Sequence, residues 1–327
     1  MSMTILIEES KMIKFQSITN TEYFEDRHRT SPYLPGDHVV ITEKIDGANA
    51  SFQKPHKDVF YRYSRAEELS PEKTLSGFYH AIEEVLSGTK LNPNYRYYGE
   101  WLSNHKVIYE ETDKKQFYLY DVQQVDNGTY LAHGEVMEIA KELGLRHAPV
   151  LFDGILPDTQ EAVDALIQSF VGKTEMNATL SHKKRGIIPM GEGIVVRNFS
   201  RTRPDGKRII TKIVVDELAE SRYNREYKEP TNVPETAFAV AHMTENRIEK
   251  MLMKLVDEDV LPEHWTLAEA KAKISYLVER VVADVLQEHP VPEEFEIETI
   301  VKLLKKRAGG LAFPLLQTNQ TVQVERS

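Results

Sequence analysis

The sequence predicts an α+β chain: a domain of antiparallel sheets flanked by helices over residues 1–229, then a small all-α domain over residues 230–327. Three observations predict it. Between residues 38 and 215, short runs rich in β-branched and aromatic residues alternate with turn residues. Segments with apolar residues at helical spacing interrupt these runs, several of them closed by glycine. Around Tyr227 the character changes: Pro230 and Pro234 flank a linker-like stretch, and beyond it the spacing is helical to the end.

In chain order, His38 to Thr42 reads as a strand, and Ala48 to Phe52 alternates small or apolar with polar residues. Asp46-Gly47 between them reads as a hairpin turn pair, which puts Lys44 at a strand end beside a tight turn. Asp58 to Tyr63 is a third strand, ending in Ser64-Arg65. Leu75 to Leu86 has helical spacing and is closed by Gly88. Strand character returns at Tyr95 to Leu102, which holds Gly99-Glu100-Trp101. It returns again at Gln116 to Val122, where alternation puts Phe117, Leu119 and Asp121 on one face and Tyr118, Tyr120 and Val122 on the other.

Val136 to Leu143 and Gln160 to Val171 are amphipathic helices stopped by Gly144 and Gly172. From Lys173 to Met190 the chain is polar and shows no element. Gly191 to Arg197 is a compact buried strand with Glu192 at its entrance, and Ile209 to Val215 is its hairpin partner. Lys212, inside that second strand, either faces solvent from a sheet edge or points into a site. Past Pro234, helices are expected over Glu245 to Val256, along the stripe from Leu267 to Val285, and from Glu294 to Lys306 with Gly309-Gly310 after it. These make a bundle of three or four helices.

Composition narrows the chemistry. A formal charge of −10 argues against wholesale polyanion binding, so any nucleic-acid contact must come from a local patch. One such patch exists: from Lys183 to Lys212 nine basic residues (Lys183, Lys184, Arg185, Arg197, Arg201, Arg203, Lys207, Arg208, Lys212) face two acids, a composition suited to a phosphate-backbone track. Lys302, Lys305, Lys306 and Arg307 form a second basic group on the last helix. With no cysteine, disulfides, thiol catalysis and Cys-ligated zinc are excluded. Neither a signal peptide nor a membrane span is expected, which favours a cytoplasmic protein.

Lys44-x-Asp46-Gly47, Ser64-Arg65, Gly99-Glu100, Tyr118-Leu119-Tyr120-Asp121, Glu192-Gly193 and Lys212 occur in the order of the nucleotidyl-transfer motifs of covalent lysyl-nucleotidyltransferases. Within that superfamily of ligases and capping enzymes the chain most resembles RNA ligases of the phage RNA ligase two and trypanosome editing ligase type. Asn49, five residues after the lysine, and the helical C-terminal part both match that branch.

The resemblance implies a ligase-type nucleotidyltransferase domain and an ATP-dependent RNA ligase, a monomer joining 3′-hydroxyl and 5′-phosphate RNA ends through lysyl-AMP and RNA-adenylate. Lys44 would carry AMP as a phosphoramidate, a step that needs a neutral amine. Glu192 would hold Mg²⁺ or Mn²⁺, and Lys212 would stabilise the phosphoryl charge. Arg65 would contact the sugar and phosphate side of ATP, Glu100 a ribose hydroxyl, and Tyr120 the adenine face. Asn49 would hold a phosphate late in the reaction, and Asp46 with Gly47 would shape the turn or reach the metal through water. Glu43 joins the nucleotide-binding set only by adjacency to Lys44. One departure stands out: the branch often has two lysines two apart in the last motif, and here Val214 holds the second place. A capping guanylyltransferase, a DNA ligase and a nucleotide- or RNA-binding module without catalysis are the competing readings.

Overall fold

The computed structural model describes residues 14–28, 30–103, 106–182, 186–203, 205–219, 234–263 and 265–326. The strands are β1 (Thr19–Asn20), β2 (His38–Lys44), β3 (Ala48–His56), β4 (Val59–Ser64), β5 (Tyr95–Trp101), β6 (Val107–Ile108), β7 (Phe117–Gln124), β8 (Arg146–His147), β9 (Val150–Ile155), β10 (Thr179–His182), β11 (Gly186–Pro189), β12 (Gly193–Thr202) and β13 (Arg208–Val214). The helices are α1 (Thr21–His28), α2 (Phe78–Val85), α3 (His133–Leu143), α4 (Gln160–Gln168), α5 (Pro234–His242), α6 (Glu245–Asp257), α7 (Leu267–Ala272), α8 (Ile274–Glu288) and α9 (Ile297–Arg326). The α+β class holds, with mainly antiparallel sheets and a helical C-terminal region. The expected boundary at residue 229 lies outside the described residues.

The chain divides into two compact units. The first takes the described residues of 1–17, 47–103 and 115–148, and is built on the sheet β4-β3-β5-β7-β8. One face of that sheet carries Phe52, Tyr97, Trp101, Phe117, Leu119 and Val122, packed with Phe78 and Ile82 of α2 and Val136 of α3. Each such side chain, fully buried, contributes about 1.5–3 kcal/mol. Strict alternation fails in β7: Tyr98 pairs with Asp121 while Gly99 pairs with Leu119, so Tyr120 is the extra residue of a bulge. That bulge puts Val122, and not Asp121, on the core face with Phe117 and Leu119.

The second unit takes the described residues of 18–46, 104–114 and 149–327. Its larger sheet runs β1-β13-β12-β2-β9, and its smaller one β11-β10-β6. Val39 and Ile41 of β2 and Ile194 and Val196 of β12 pack on Val163 and Ile167 of α4. Asp46-Gly47 is therefore no hairpin turn, because β2 pairs with β12 and β9 while β3 pairs with β4 and β5. A dipeptide signals a turn but not which strands meet across it. β9 and the β10–β11 hairpin were not legible in the sequence. β10 and β11 have four residues each, and β10 is held by pairing to β6.

The helical region differs from its sequence reading in three places. α5 (Pro234–His242) precedes the first helix expected, at Glu245. The stripe from Leu267 breaks at Lys273 into α7 and α8, with Ala270, Leu277, Val281, Val282 and Val285 buried as the spacing implied. The last helix does not stop at Gly309-Gly310 but runs to Arg326. Ala308, Ala312 and Leu316 are buried in the core there, and their packing outweighs the roughly 1 kcal/mol that each helical glycine costs.

His242, at the end of α5, stacks on His289 with ring centroids 4.1 Å apart and is 6% exposed. Burial, then the neighbouring His289 and Arg247, bring its pKa down to about 3, against a weaker opposite pull from Glu288. The unfolded chain takes up this proton below about pH 6.5, whereas the folded protein does not until about pH 3. Stability is thus full above pH 6.5 and is lost as the pH falls through that window, by about 1.4 kcal/mol per pH unit. We expect the thermal midpoint to fall between pH 7 and 5, and His242→Phe to flatten that slope. Identical slopes would assign the acid sensitivity to other groups.

Candidate active site

In the second unit the site begins with the register of three strands. Lys44, the last residue of β2, pairs with Gly193, which in turn pairs with Val214. Only glycine fits there, since a Cβ on Gly193 would overlap the carbonyl oxygen of Ile213. Glu192 immediately precedes Gly193 and so lies beside the end of β2. The Lys44 Nζ donates to Glu192 Oε2 at 2.6 Å. Glu192 is fully buried, and its Oε1 accepts from the Nζ of Lys250 on α6.

The next row of the same face is Thr42, Val195 and Lys212. Arg197, one row further, donates to the Thr42 hydroxyl at 3.2 Å. Lys212 is not on an open edge, because β1 covers β13 through the pair Asn20 and Lys212. Its ammonium meets Glu288 of α8 at 3.3 Å, and its side chain is 16% exposed. Glu288 also takes a hydrogen bond from Arg247 of α6 at 3.0 Å.

Two acids beside Lys44 are engaged elsewhere. Glu43 alternates onto the opposite face, where its carboxylate accepts from the Thr174 hydroxyl and the Glu175 amide, each at 2.8 Å. Burial pushes its pKa up, and those hydrogen bonds pull the other way. The Asp46 Oδ2 accepts from the Lys106 and Val107 amides, each at 3.1 Å, and its own amide donates to the Tyr109 hydroxyl at 2.8 Å. Burial first, and then the Asp46 charge, hold the Tyr109 phenol well above its ordinary pKa. Both acids fasten the backbone around Lys44.

The first unit carries the other candidates. A Cβ on Gly47 would lie 2.6 Å from the Trp101 carbonyl oxygen and 2.8 Å from Glu100 Cγ, so glycine lets the chain close on β5. Asn49 and Glu100 are directly paired across β3 and β5. Asn49 Nδ2 donates to the Tyr120 hydroxyl, and Phe15 meets the Tyr120 ring edge-on at 5.1 Å. Tyr120 shares this polar face with Tyr118, which pairs with Glu100. Arg65 is exposed, with its guanidinium 3.4 Å from the Ser17 hydroxyl.

The basic run is less open than its composition implied. Lys183, Lys184 and Arg185 lie outside the described residues. Arg201 is paired with Asp37 at 2.7 Å, Arg203 with Asp205 at 2.8 Å, and Arg197 is buried. A count along the sequence includes Asp205 but omits Asp37, which comes from the loop before β2. On α9, Lys302, Lys305 and Lys306 are exposed, whereas Arg307 donates to the Met243 carbonyl at 2.8 Å.

Sequence reasoning missed Lys250 and Arg247, which approach from a region read as a packing bundle. The only signal was their spacing of three on one helix face.

A family model of RNA ligases matches residues 37–214. The chain belongs to the RNA ligase family. The matched span runs from just before β2 to the last residue of β13, so α5 to α9 lie beyond it. No curated protein matches the chain. Among solved structures it is similar to a Naegleria gruberi RNA ligase mutant with ATP and Mn, at 18% identity and a TM-score of 0.43, over 63% of this chain and 57% of that one. It is also similar to the Naegleria gruberi RNA ligase with PPi, at 18% identity and a TM-score of 0.42, over 64% of this chain and 57% of that one. The match thus spans little more than half of those proteins.

Among the described residues no helix is long and apolar enough to cross a membrane, and no group of three or more His, Cys, Asp or Glu is placed to hold a metal ion. A lone buried carboxylate does fit a hard divalent cation such as Mg²⁺, which is usually bound through one or two carboxylates, water and the substrate's phosphates. Glu192, already ringed by cationic groups, is the residue that would hold it.

Proposed function

We propose that this RNA ligase uses ATP to join an RNA 3′-hydroxyl to a 5′-phosphate, by way of lysyl-AMP on Lys44 and then an RNA-adenylate. The observation that carries the reading is the Lys44 amine held 2.6 Å from the buried Glu192 carboxylate at the end of a central strand. In the first step the Lys44 Nζ lone pair attacks the α-phosphorus. The N–P bond forms as the bond to pyrophosphate breaks, and the displaced amine proton goes to solvent. An oxygen of the RNA 5′-phosphate then takes the adenylyl group and frees Lys44. The 3′-hydroxyl oxygen attacks that activated phosphate, loses its proton, and AMP leaves.

This chain's residues position and neutralise. Lys212 meets phosphoryl oxygens in exchange for Glu288. Glu43 and Asp46 keep the end of β2 in place. Tyr120 offers its ring to adenine, Glu100 accepts from the ribose, Asn49 and Arg65 contact phosphate and sugar, and Gly47 allows the close backbone approach. A divalent metal on Glu192 would neutralise charge that develops on the phosphates. Among the described residues no strand follows β13, which favours an RNA ligase over enzymes that carry a small β-barrel there.

Incubation with α-labelled ATP or GTP and Mg²⁺, followed by denaturing electrophoresis, tests this. Label kept on the protein from ATP alone is expected. Label from GTP alone would make it a capping-type enzyme, and no retained label would make it a binding module.

A further inference from the structure

The geometry points to Lys250, on α6 and beyond the family match, as a second phosphate-binding cation of the Lys44 site. Lys44 takes one oxygen of Glu192 and Lys250 takes the other. The two amines are therefore separated by no more than one carboxylate and two hydrogen bonds, about 7 Å. The Lys250 side chain is only 11% exposed, so its charge has been taken largely out of water to stand beside the nucleophile.

The placement of α6 is fixed by the same segment that fastens Lys44. Asp46 holds the amides of Lys106 and Val107. The Lys106 ammonium reaches Asn246 Oδ1 at 2.7 Å and pairs with Glu249. Asn246 donates in turn to the carbonyls of Glu217 and Ala219, at 3.0 and 3.1 Å, just after β13. A closed circuit thus runs from the residue two past Lys44, through Lys106, to α6 and back through Lys250 and Glu192. A packing helix needs an apolar face, which α6 has in Ile248, Met251, Leu252 and Leu255. It does not need a lysine directed at a buried carboxylate.

With Glu192 holding a divalent cation, Lys250 would exchange that carboxylate for the same phosphates that Lys44 attacks. Its ligand is a nucleoside triphosphate, through non-bridging phosphate oxygens. The inference rests on the lysyl-AMP reading, and binding is measured apart from labelling so that the two can fail separately. In the full-length protein with Mg²⁺, we expect Lys250→Met to weaken ATP binding by at least tenfold and to slow lysyl-AMP formation by about a hundredfold. Lys250→Arg should recover most of the binding, because it keeps the charge, while the ligand-free thermal midpoints of all three proteins stay within a few degrees.

ATP affinity unchanged in Lys250→Met would overturn the inference even if the wild type labels normally. Equal losses in the Met and Arg variants with lowered midpoints would also overturn it, in favour of a structural ion pair. A wild type that binds no ATP would remove the ligand and the inference with it.

Discussion

Lys44→Ala and Lys44→Arg are both expected to lose label from α-labelled ATP by about a thousandfold or more, as for removal of a covalent nucleophile. The arginine variant is the sharper test. It keeps a cation opposite Glu192 and so preserves the ion pair, but a guanidinium stays protonated and has no lone pair to attack with. The Arg variant should therefore fold with a wild-type thermal midpoint and still form no lysyl-AMP. Because ATP binding relies on other groups as well, its affinity should fall far less than the rate. Wild-type label on either variant would place the nucleophile elsewhere.

Glu192→Gln carries the second large effect, and here structure changes what the sequence alone implies. Read as a metal ligand at a strand entrance, Glu192 should be removable with little change in stability. In the structure it is fully buried and pairs with two ammonium groups, so losing its charge leaves Lys44 and Lys250 facing each other. Breaking a buried pair costs about 3–5 kcal/mol. Both lysines keep some exposure, so we expect about 1–3 kcal/mol here. Lysyl-AMP formation, measured well below the variant's midpoint, should fall by orders of magnitude. Normal specific activity in the folded fraction would mean that the acid holds β12 in place and takes no part in phosphate chemistry.

The contrast at Glu192 recurs at other residues. Each candidate in the second unit was found from a local pattern, and each acquired a partner that the pattern could not name. Lys212 was left between an open edge and a site. It lies on a covered strand against Glu288, seventy-six residues away in sequence. Arg201 counted toward a phosphate track, yet it meets Asp37, 164 residues away in sequence. Glu43 and Asp46 bind backbone and hydroxyl groups that fasten the loop at 173–176 and the start of β6. Alternation placed Tyr120 correctly, opposite Phe117 and Leu119, but a bulge no pattern announced exchanged the faces of Asp121 and Val122.

By itself the sequence determined the class of the chain and most of its strands and helices, and its resemblance to RNA ligases singled out the lysine and carboxylate at the centre of the proposed chemistry. The strands and helices depend on short-range regularities, a period of two in strands and a period near 3.6 in helices, and the resemblance depends on the order of short motifs along the chain. Tertiary structure alone decided that Asp46-Gly47 joins strands of different sheets, that α9 continues through Gly309-Gly310, and that Lys250 reaches Glu192 from a helix outside the family match. The physical reason is that pairing between sheets, core packing and ion pairs act between residues far apart in sequence. Their partners are chosen by which surfaces bury each other, and local spacing carries no record of that choice.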